Sequence, residues 1–467
     1  MFEKTVYVQR RKLLKTRIKS GLLLFLGNEE SPMNYPGNTY PFRQDSSFLY
    51  FFGLDTPGLA AIIDADSGTE TIFGDDITLE DVIWMGKLPT IKERAAAAGI
   101  KRTSPRARLE ETIEQARKKG RPVHFLPPYR AETRARLADL LILRPPLVRQ
   151  RVSSELVKAV VAQRSVKSLE EVAEIEKSLA VSRKMYAAAL EKIRPGLYER
   201  DIVGAMEGIA LAHGCPPAFP TILSMDAHVF HNPFHANRLA KGRLLVIDSG
   251  VSSERGYASD ITRTLPVSGE YSRIQREIYE IVLKGQLQAI AAMKPGVRFK
   301  DIHLATARTM ALGLKDVGLM KGNIDEAVSG GAHALFFPHG LGHMIGLDVH
   351  DMEGLGEDYV GYDETVKRSR QFGLAYLRMA KELKPGFVLT VEPGIYFIPP
   401  LIDHWKAEKR FTQFIDYARL EKYRNFTGIR IEDDVLITKD GSRVLGRSIP
   451  KKAGEIEKAM AASTGKK

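Results

Sequence analysis

Cysteine is almost missing from this sequence: Cys215 is the only one in 467 residues. An intramolecular disulfide is therefore excluded, and the chain fits a reducing compartment, which we expect to be the cytoplasm. Long apolar runs are missing too. The longest candidate, Leu22 to Leu26, is strand-sized and far short of the roughly 20 residues that cross a bilayer, so no membrane partner is expected. Nor are the charges segregated. A net charge of +12 and a pI near 9.4 would permit nucleic-acid binding, but basic residues cluster only at Arg117–Arg121 and in the tail from Lys451 to Lys467. Such dispersal reads as a solvated surface, and no nucleic-acid partner is expected. The first twenty residues are basic, yet Glu3 and the scarcity of Ser argue against an organelle leader. Leu13, Leu14 and Ile18 read instead as the inner stripe of a surface helix entering a strand at Leu22–Leu26.

What is present is the composition of a globular protein, 44% hydrophobic and 27% charged, at a length that calls for two domains. Residues 1–155 alternate strand-like runs (Gly21–Leu26, Phe48–Phe52, Ala60–Asp64, Thr71–Phe73, Val123–Phe125) with helical ones (Leu79–Met85, Ile91–Ala98, Leu109–Lys119, Ala131–Leu141). This stretch has no cluster of acids and histidines, so a binding or assembly role is expected of it. Pro145-Pro146 and the basic segment to Ser154 read as a linker. A second domain at 156–450 and a basic tail at 451–467 complete the division. Ser168 and Glu171 form a capping-box start for a long helix through about Ile193. A repeat follows, because Pro195-Gly196 with Asp201-Ile202 recurs one hundred residues later as Pro295-Gly296 with Asp301-Ile302. Each copy falls between amphipathic helices, which predicts two related halves with a site on the sheet where they meet.

The chemistry concentrates around Phe337–Asp351. His333, His339, His343 and His350 fall within eighteen residues, and Gly340, Gly342 and Gly346 let backbone approach closely between them. A glycine-rich loop with its histidines satisfied by carbonyls is the plain alternative. Four other stretches change the balance: Val246–Gly250, Ala258–Thr264, Val391–Gly394 and Gly428–Asp434 each put a carboxylate on an apolar or β-prone run. Acids there are costly unless paired or bound to metal. Four acids and one histidine suit hard divalent ions, and by charge two of them, since four carboxylates balance two divalent cations.

These five motifs, in this order, resemble the proline-specific metallopeptidases of the pita-bread fold, the family of aminopeptidase P and prolidase. Tyr40–Tyr50, with its Arg-Gln-Asp-Ser, resembles the N-terminal domain of that family. The resemblance implies an α/β (α+β) chain with an N-terminal αβ domain followed by a pseudo-twofold catalytic domain on a curved antiparallel sheet. It implies that Asp248, Asp260, His343, Glu392 and Glu432 bind two metal ions, usually manganese. His231, His339 and His350 would then handle substrate, Arg430 would support the ligands from behind and help hold substrate, and Glu392 would shuttle a proton beside the metal-activated water. His350 or His339 would donate to the developing oxyanion. One departure is visible: Asp248 and Asp260 are twelve apart, one more than the family interval, which places an extra residue in the loop Ser249–Ser259. The expected activity is that of an aminopeptidase acting on peptides with proline in second position, in a homodimer or homotetramer. The alternative is an Xaa-Pro dipeptidase, because Arg378 stands fourteen residues before Glu392, where prolidases carry an arginine that grips a dipeptide carboxylate. Against that, Arg378 would sit on a helix surface between Gly373 and Glu382 and pair with Glu382. A non-catalytic binding module is the remote reading, since such relatives have lost the ligands present here.

Overall fold

The computed structural model describes residues 1–464. The chain divides into two compact units, residues 1–164 with 353–359, and residues 165–352 with 360–467.

The first unit is built on a five-stranded mixed sheet in the order Arg102–Ser104, Glu70–Phe73, Ala60–Asp64, Leu22–Leu26, Val123–His124. The helices expected at Leu79–Met85 and Ala131–Leu141 are there with those bounds. The run Phe48–Phe52 differs: it is a helix, Ser46–Phe52. Its aromatic residues favour a strand, but Asp45 caps the helix by accepting the Phe48 N–H at 2.9 Å, and Gly53 ends it in the left-handed region at φ 66°. The helix buries Phe48, Phe51 and Phe52 completely, each contributing about 1.5–3 kcal/mol. The first helix, Lys4–Arg17, also turns a different face inward. Tyr7, Arg10, Arg11 and Leu14 are buried, while Leu13 is 44% exposed. Arg11 is a core residue: its guanidinium donates to Glu70, to Phe51 O and to Ala98 O, each at 2.8 Å. Thus some of the basic residues read as surface charge tie this unit together. The expected linker is a 3-10 helix, Pro145–Arg151.

The second unit carries the duplication. Helices Leu169–Lys192 and Glu199–Ala212 form one pair, Arg273–Ala292 and Phe299–Asp316 the other. Ser168 and Glu171 close the capping box at the start of the first helix. In both turns the glycine has positive φ, 97° at Gly196 and 85° at Gly296. Its N–H donates to a leucine carbonyl, Leu239 at 2.8 Å and Leu383 at 3.0 Å. Each leucine returns the bond, Leu239 to Leu197 O and Leu383 to Val297 O. A strand then begins, Leu244–Ser249 in one half and Val388–Val391 in the other, and an acid appears nine residues after the leucine in each, Asp248 and Glu392. The antiparallel sheet is broken into short pieces, ordered Ile261–Pro266, Leu244–Ser249, Ile222–Ser224 in one and Val388–Val391, Asp433–Ile437, Ser442–Val444 in another, with Gly394–Tyr396 paired to Gly428–Arg430. The run Gly428–Thr438, expected as one strand, is therefore interrupted at Ile431-Glu432, where the chain leaves one partner strand and joins another. Of the expected basic tail, Lys451 is anchored to Asp433 and residues 453–464 form a helix that buries Ala453, Ile456 and Met460. Gly465, Lys466 and Lys467 lie outside the described residues.

Candidate metal centre

Asp248 lies in the Leu244–Ser249 strand directly opposite Thr262. Asp260 comes two residues before Thr262, so alternation puts both on the face that carries Asp248. The loop Ser249–Ser259 contains a turn at Ser253–Gly256, where Gly256 takes φ 82° and its N–H donates to Ser253 O at 2.7 Å. The strand register beside it stays unbroken. Gly342 allows the histidine loop to close on the other half of the sheet, since a Cβ there would lie 2.0 Å from Thr390 O. The His343 N–H donates to Thr390 Oγ1 at 3.1 Å and the Thr390 N–H to His343 O at 2.9 Å, which lays His343 beside the strand leading to Glu392. Glu432 occupies the break between strands, with its N–H on Thr262 O at 3.0 Å and its Oε2 accepting from Thr262 Oγ1 at 2.6 Å.

These pieces bring donor atoms of Asp260, His343 and Glu432, all buried, within 4.8 Å of one another. His343 Nε2 is 3.5 Å from Asp260 Oδ2 and 3.5 Å from Glu392 Oε1. Asp248 is held from behind by Arg430, whose guanidinium donates to Oδ2 at 2.6 Å. The Oδ1 atoms of Asp248 and Asp260 are buried without a hydrogen-bond partner.

The donor set fits a divalent cation. His343 Nδ1 lies 3.0 Å from Met344 O, which assigns the ring proton to Nδ1 and leaves the Nε2 lone pair aimed at two carboxylates. Converging lone pairs need a cation or protons between them. Burial, then repulsion from Glu432 and Asp248, pushes the Asp260 carboxyl far above its ordinary range. Burial, then Glu392 and Asp248, does the same to Glu432. Glu392 is pushed up to about 7, mainly by burial and against the pull of Arg430. His343 is held well below its usual value by burial and by the neighbouring His350. Metal-free, the cluster takes up protons; a hard cation removes that need.

The remaining expected residues divide. His350 lies with its ring 4.2 Å from that of His343, and it lines a 260 Å³ cavity together with His231, Phe219, Pro220, Asp248 and Asp260. His339 has both nitrogens engaged, Nδ1 with Gly340 O at 2.8 Å and Nε2 with Tyr396 Oη at 2.9 Å. Burial drives it down to about 3, so it is neutral. Arg430 is a buttress, donating to Asp248, to Thr262 Oγ1 at 3.1 Å and to Tyr396 Oη at 2.9 Å. Arg378 is not on a helix surface. The local helix is a 3-10 turn, Leu374–Tyr376, and Glu382 lies beyond it, its backbone in an isolated antiparallel β-bridge with Arg298. The Arg378 charge does reach the site, adding a minor lowering effect at His231, His339, His343 and Glu392. His333 stays in a buried 3-10 turn, Ala332–Leu335, outside the ligand cluster.

Sequence reasoning missed Thr262, Tyr396 and Arg263. Thr262 stood in a motif already singled out, and its pairing opposite Asp248 was the available signal. Tyr396 joins His339 to Arg430. Arg263, 1% exposed, donates to Glu432 O at 2.6 Å and to Asp433 Oδ1 at 2.8 Å directly behind the centre.

The model of metallopeptidase family M24 matches residues 173–439. The chain belongs to metallopeptidase family M24. A second model, the N-terminal domain of aminopeptidase P, matches residues 7–124. Relatives of this M24 chain include a Fusarium vanettenii protein named a probable Xaa-Pro aminopeptidase, 35% identical over 89% of this chain and 87% of that one. The human Xaa-Pro dipeptidase is 31% identical over 95% and 90%. A structure of variant Escherichia coli aminopeptidase P in complex with substrate superimposes with a TM-score of 0.82 at 29% identity, covering 100% of both chains. The M24 chain thus shares that mixed α/β fold and carries a buried Asp–His–Glu group suited to a divalent metal.

Proposed function

We propose that this M24 chain is an Xaa-Pro aminopeptidase, releasing the first residue of peptides whose second residue is proline. In this reading two divalent ions, manganese by preference, are held by Asp248, Asp260, His343, Glu392 and Glu432. The observation that carries it is the buried Asp260–His343–Glu432 group beside a 260 Å³ cavity with an apolar Phe219–Pro220 wall and His231 and His350 along it. The bond before proline is a tertiary amide without an N–H, so it must be recognised by shape and charge rather than through that donor.

A divalent pair held by these residues would acidify a bound water and polarise the scissile carbonyl. Glu392, beside His343 at the end of the Val388–Val391 strand, takes a proton from the attacking water and returns it to the leaving nitrogen. His350, facing the cavity, donates to the oxyanion; losing such a donor costs about 10²–10³ in rate. His339 acts through Tyr396, keeping the phenol against Arg430 and so Arg430 against Asp248.

A second reading, the dipeptidase, is supported by the likeness to the human Xaa-Pro dipeptidase and by the position of Arg378 fourteen residues before Glu392. Manganese-loaded enzyme assayed on Gly-Pro and on a tripeptide with proline second tests both. Faster turnover of the tripeptide, with equal small effects of Arg378→Ala on the two substrates, supports the aminopeptidase. A selective loss of about a hundredfold on the dipeptide, the worth of a desolvated carboxylate clamp, makes it a dipeptidase. We also propose a homodimer or homotetramer in the cytoplasm. The lone buried Cys215 supports the reducing compartment, and light scattering tests the assembly.

A further inference from the structure

Lys167 and Asp351 form an ion pair at 2.9 Å in which the side chains are only 1% and 2% exposed. A buried lysine loses hydration that its partner only partly restores, so the pair is weak evidence of stability and better evidence of a geometric task. Its surroundings identify the task. The Lys167 N–H donates to Gly386 O at 2.8 Å, fixing the lysine at the start of the strand that leads to Glu392. Asp351 is the next residue after His350. Its N–H donates to Met344 O at 2.8 Å, and the same oxygen takes the Nδ1 hydrogen bond of His343 at 3.0 Å. The loop between is tightened by the Gly346 N–H on Asp348 O at 3.1 Å. Gly346 itself has no room for a side chain, since a Cβ would lie 2.5 Å from Asp351 Oδ2 and 3.0 Å from Lys167 Cε. The ion pair therefore fills the inside of the loop that has His343 at one end and His350 at the other.

We infer that Lys167 and Asp351 are positioning residues for the reaction, holding the His343 and His350 imidazoles in their mutual arrangement through the Met344 carbonyl and the His350–Asp351 peptide. The inference rests on the reading of His350 as a group acting in turnover. The charges are used because an ion pair fixes a distance and a direction inside the loop that apolar packing would leave adjustable. Misplacement of a reacting group by about 1 Å can cost on the order of a hundredfold in rate, which sets the scale of the expected defect.

The test is a cycle of Lys167→Met, His350→Ala and the double variant, measured as metal-loaded enzyme on a tripeptide with proline second, with metal per chain and thermal stability determined alongside. Lys167→Met should lower kcat by about ten- to a hundredfold with KM within about twofold, at full metal content. In the His350→Ala background its cost should be smaller, because one of the two imidazoles whose mutual arrangement it holds is gone. The paired variant Lys167→Met with Asp351→Asn leaves no buried charge and keeps the Asp351 N–H bond to Met344 O. It should show the same kcat loss, and it decides the matter if Lys167→Met does not fold. Full activity in the folded neutral pair, or a Lys167→Met defect that multiplies unchanged onto His350→Ala, overturns the positioning role. If instead His350→Ala alone leaves kcat intact, it is the reading of His350 that has failed.

Discussion

Replacing Arg263 by Met should loosen the metal centre from behind. The guanidinium donates to Pro450 O and Ile449 O at 3.0 Å, to Thr262 O at 2.9 Å, to Glu432 O at 2.6 Å and to Asp433 Oδ1 at 2.8 Å. Methionine keeps the apolar stem and removes every donor. Breaking one side of a buried pair costs about 3–5 kcal/mol. Asp433 retains Lys451 at 2.6 Å and Gln286 at 2.9 Å, which puts the cost near the lower end. At about 2 °C per kcal/mol for a body of this size, the melting temperature should fall by about 6 °C. Glu432 should also lose its fixed backbone, and supports behind ligands are worth about ten- to a hundredfold in metal affinity. Arg263→Lys should rescue little, because one ammonium cannot reach five acceptors. Burial raises the Asp433 carboxyl, but Arg263 and Lys451 outweigh it and hold it below the ordinary range. A depressed carboxylate stabilises fully above its unfolded value near 4 and loses that contribution as pH falls through the folded value. The ion-pair part of the defect should thus be level from about pH 5 to 8 and shrink only in stronger acid. Thermal melts with and without manganese, and chelator-competition titrations, measure both effects. A melting point within about 1 °C of the parent would refute the energetics, and an unchanged metal affinity beside a lowered melting point would refute the link to Glu432.

Asp260→Ala and Glu432→Ala should each lose metal and activity together while keeping the circular dichroism of the parent; full activity after chelation and reloading would remove that residue from the ligand set. Metal binding should release protons below about pH 7, because burial and mutual repulsion raise Asp260 and Glu432 and put Glu392 at about 7. The sign follows from acids raised on folding: the metal-free protein is stabilised by these protons in mild acid and loses that stability as pH rises, while metal affinity climbs. Calorimetry in buffers of different ionisation enthalpy reads the proton count, and affinity constant between pH 6 and 8 would contradict it. Gly342→Ala should fail to bind metal or fail to fold, since its Cβ would meet Thr390 O at 2.0 Å; a variant with parental melting temperature would show that the loop can retreat.

Local signals were readable where a short segment decides its own structure. The Ser168–Glu171 box and the two Pro-Gly turns carry their caps and their positive φ within a few residues. At Phe48–Phe52 the aromatic preference for strands gives way to the Asp45 cap and the Gly53 stop, which make the segment a helix. Leu13 and Arg11 exchanged places because Arg11 is buried by acceptors from residues far away, Glu70, Phe51 and Ala98. No helical periodicity contains that information. The break at Ile431-Glu432 likewise depends on two partner strands that the run itself does not reveal.

The candidate ligands stand out in the sequence for a different reason: an acid on an apolar run conflicts with its surroundings, and four such conflicts beside a histidine cluster admit few explanations. Thr262, Tyr396 and Lys167 create no conflict of that kind, and their roles arise from pairing. Thr262 matters because register sets it opposite Asp248, and Glu432 then reaches its hydroxyl across the break. The duplication supplies what the motifs alone do not. Asp248 and Glu392 follow their anchoring leucines at the same interval, so the repeat positions one acid in each half before any metal is considered. The halves then diverge in what holds the acid: Arg430 grips Asp248 at 2.6 Å, whereas Glu392 has Thr390 Oγ1 at a longer 3.4 Å. A carboxylate held by a guanidinium is poorly placed to pick up a proton, whereas the more loosely held one is freer to do so. The difference in grip supports the roles proposed for the two acids, Asp248 holding a cation and Glu392 carrying a proton.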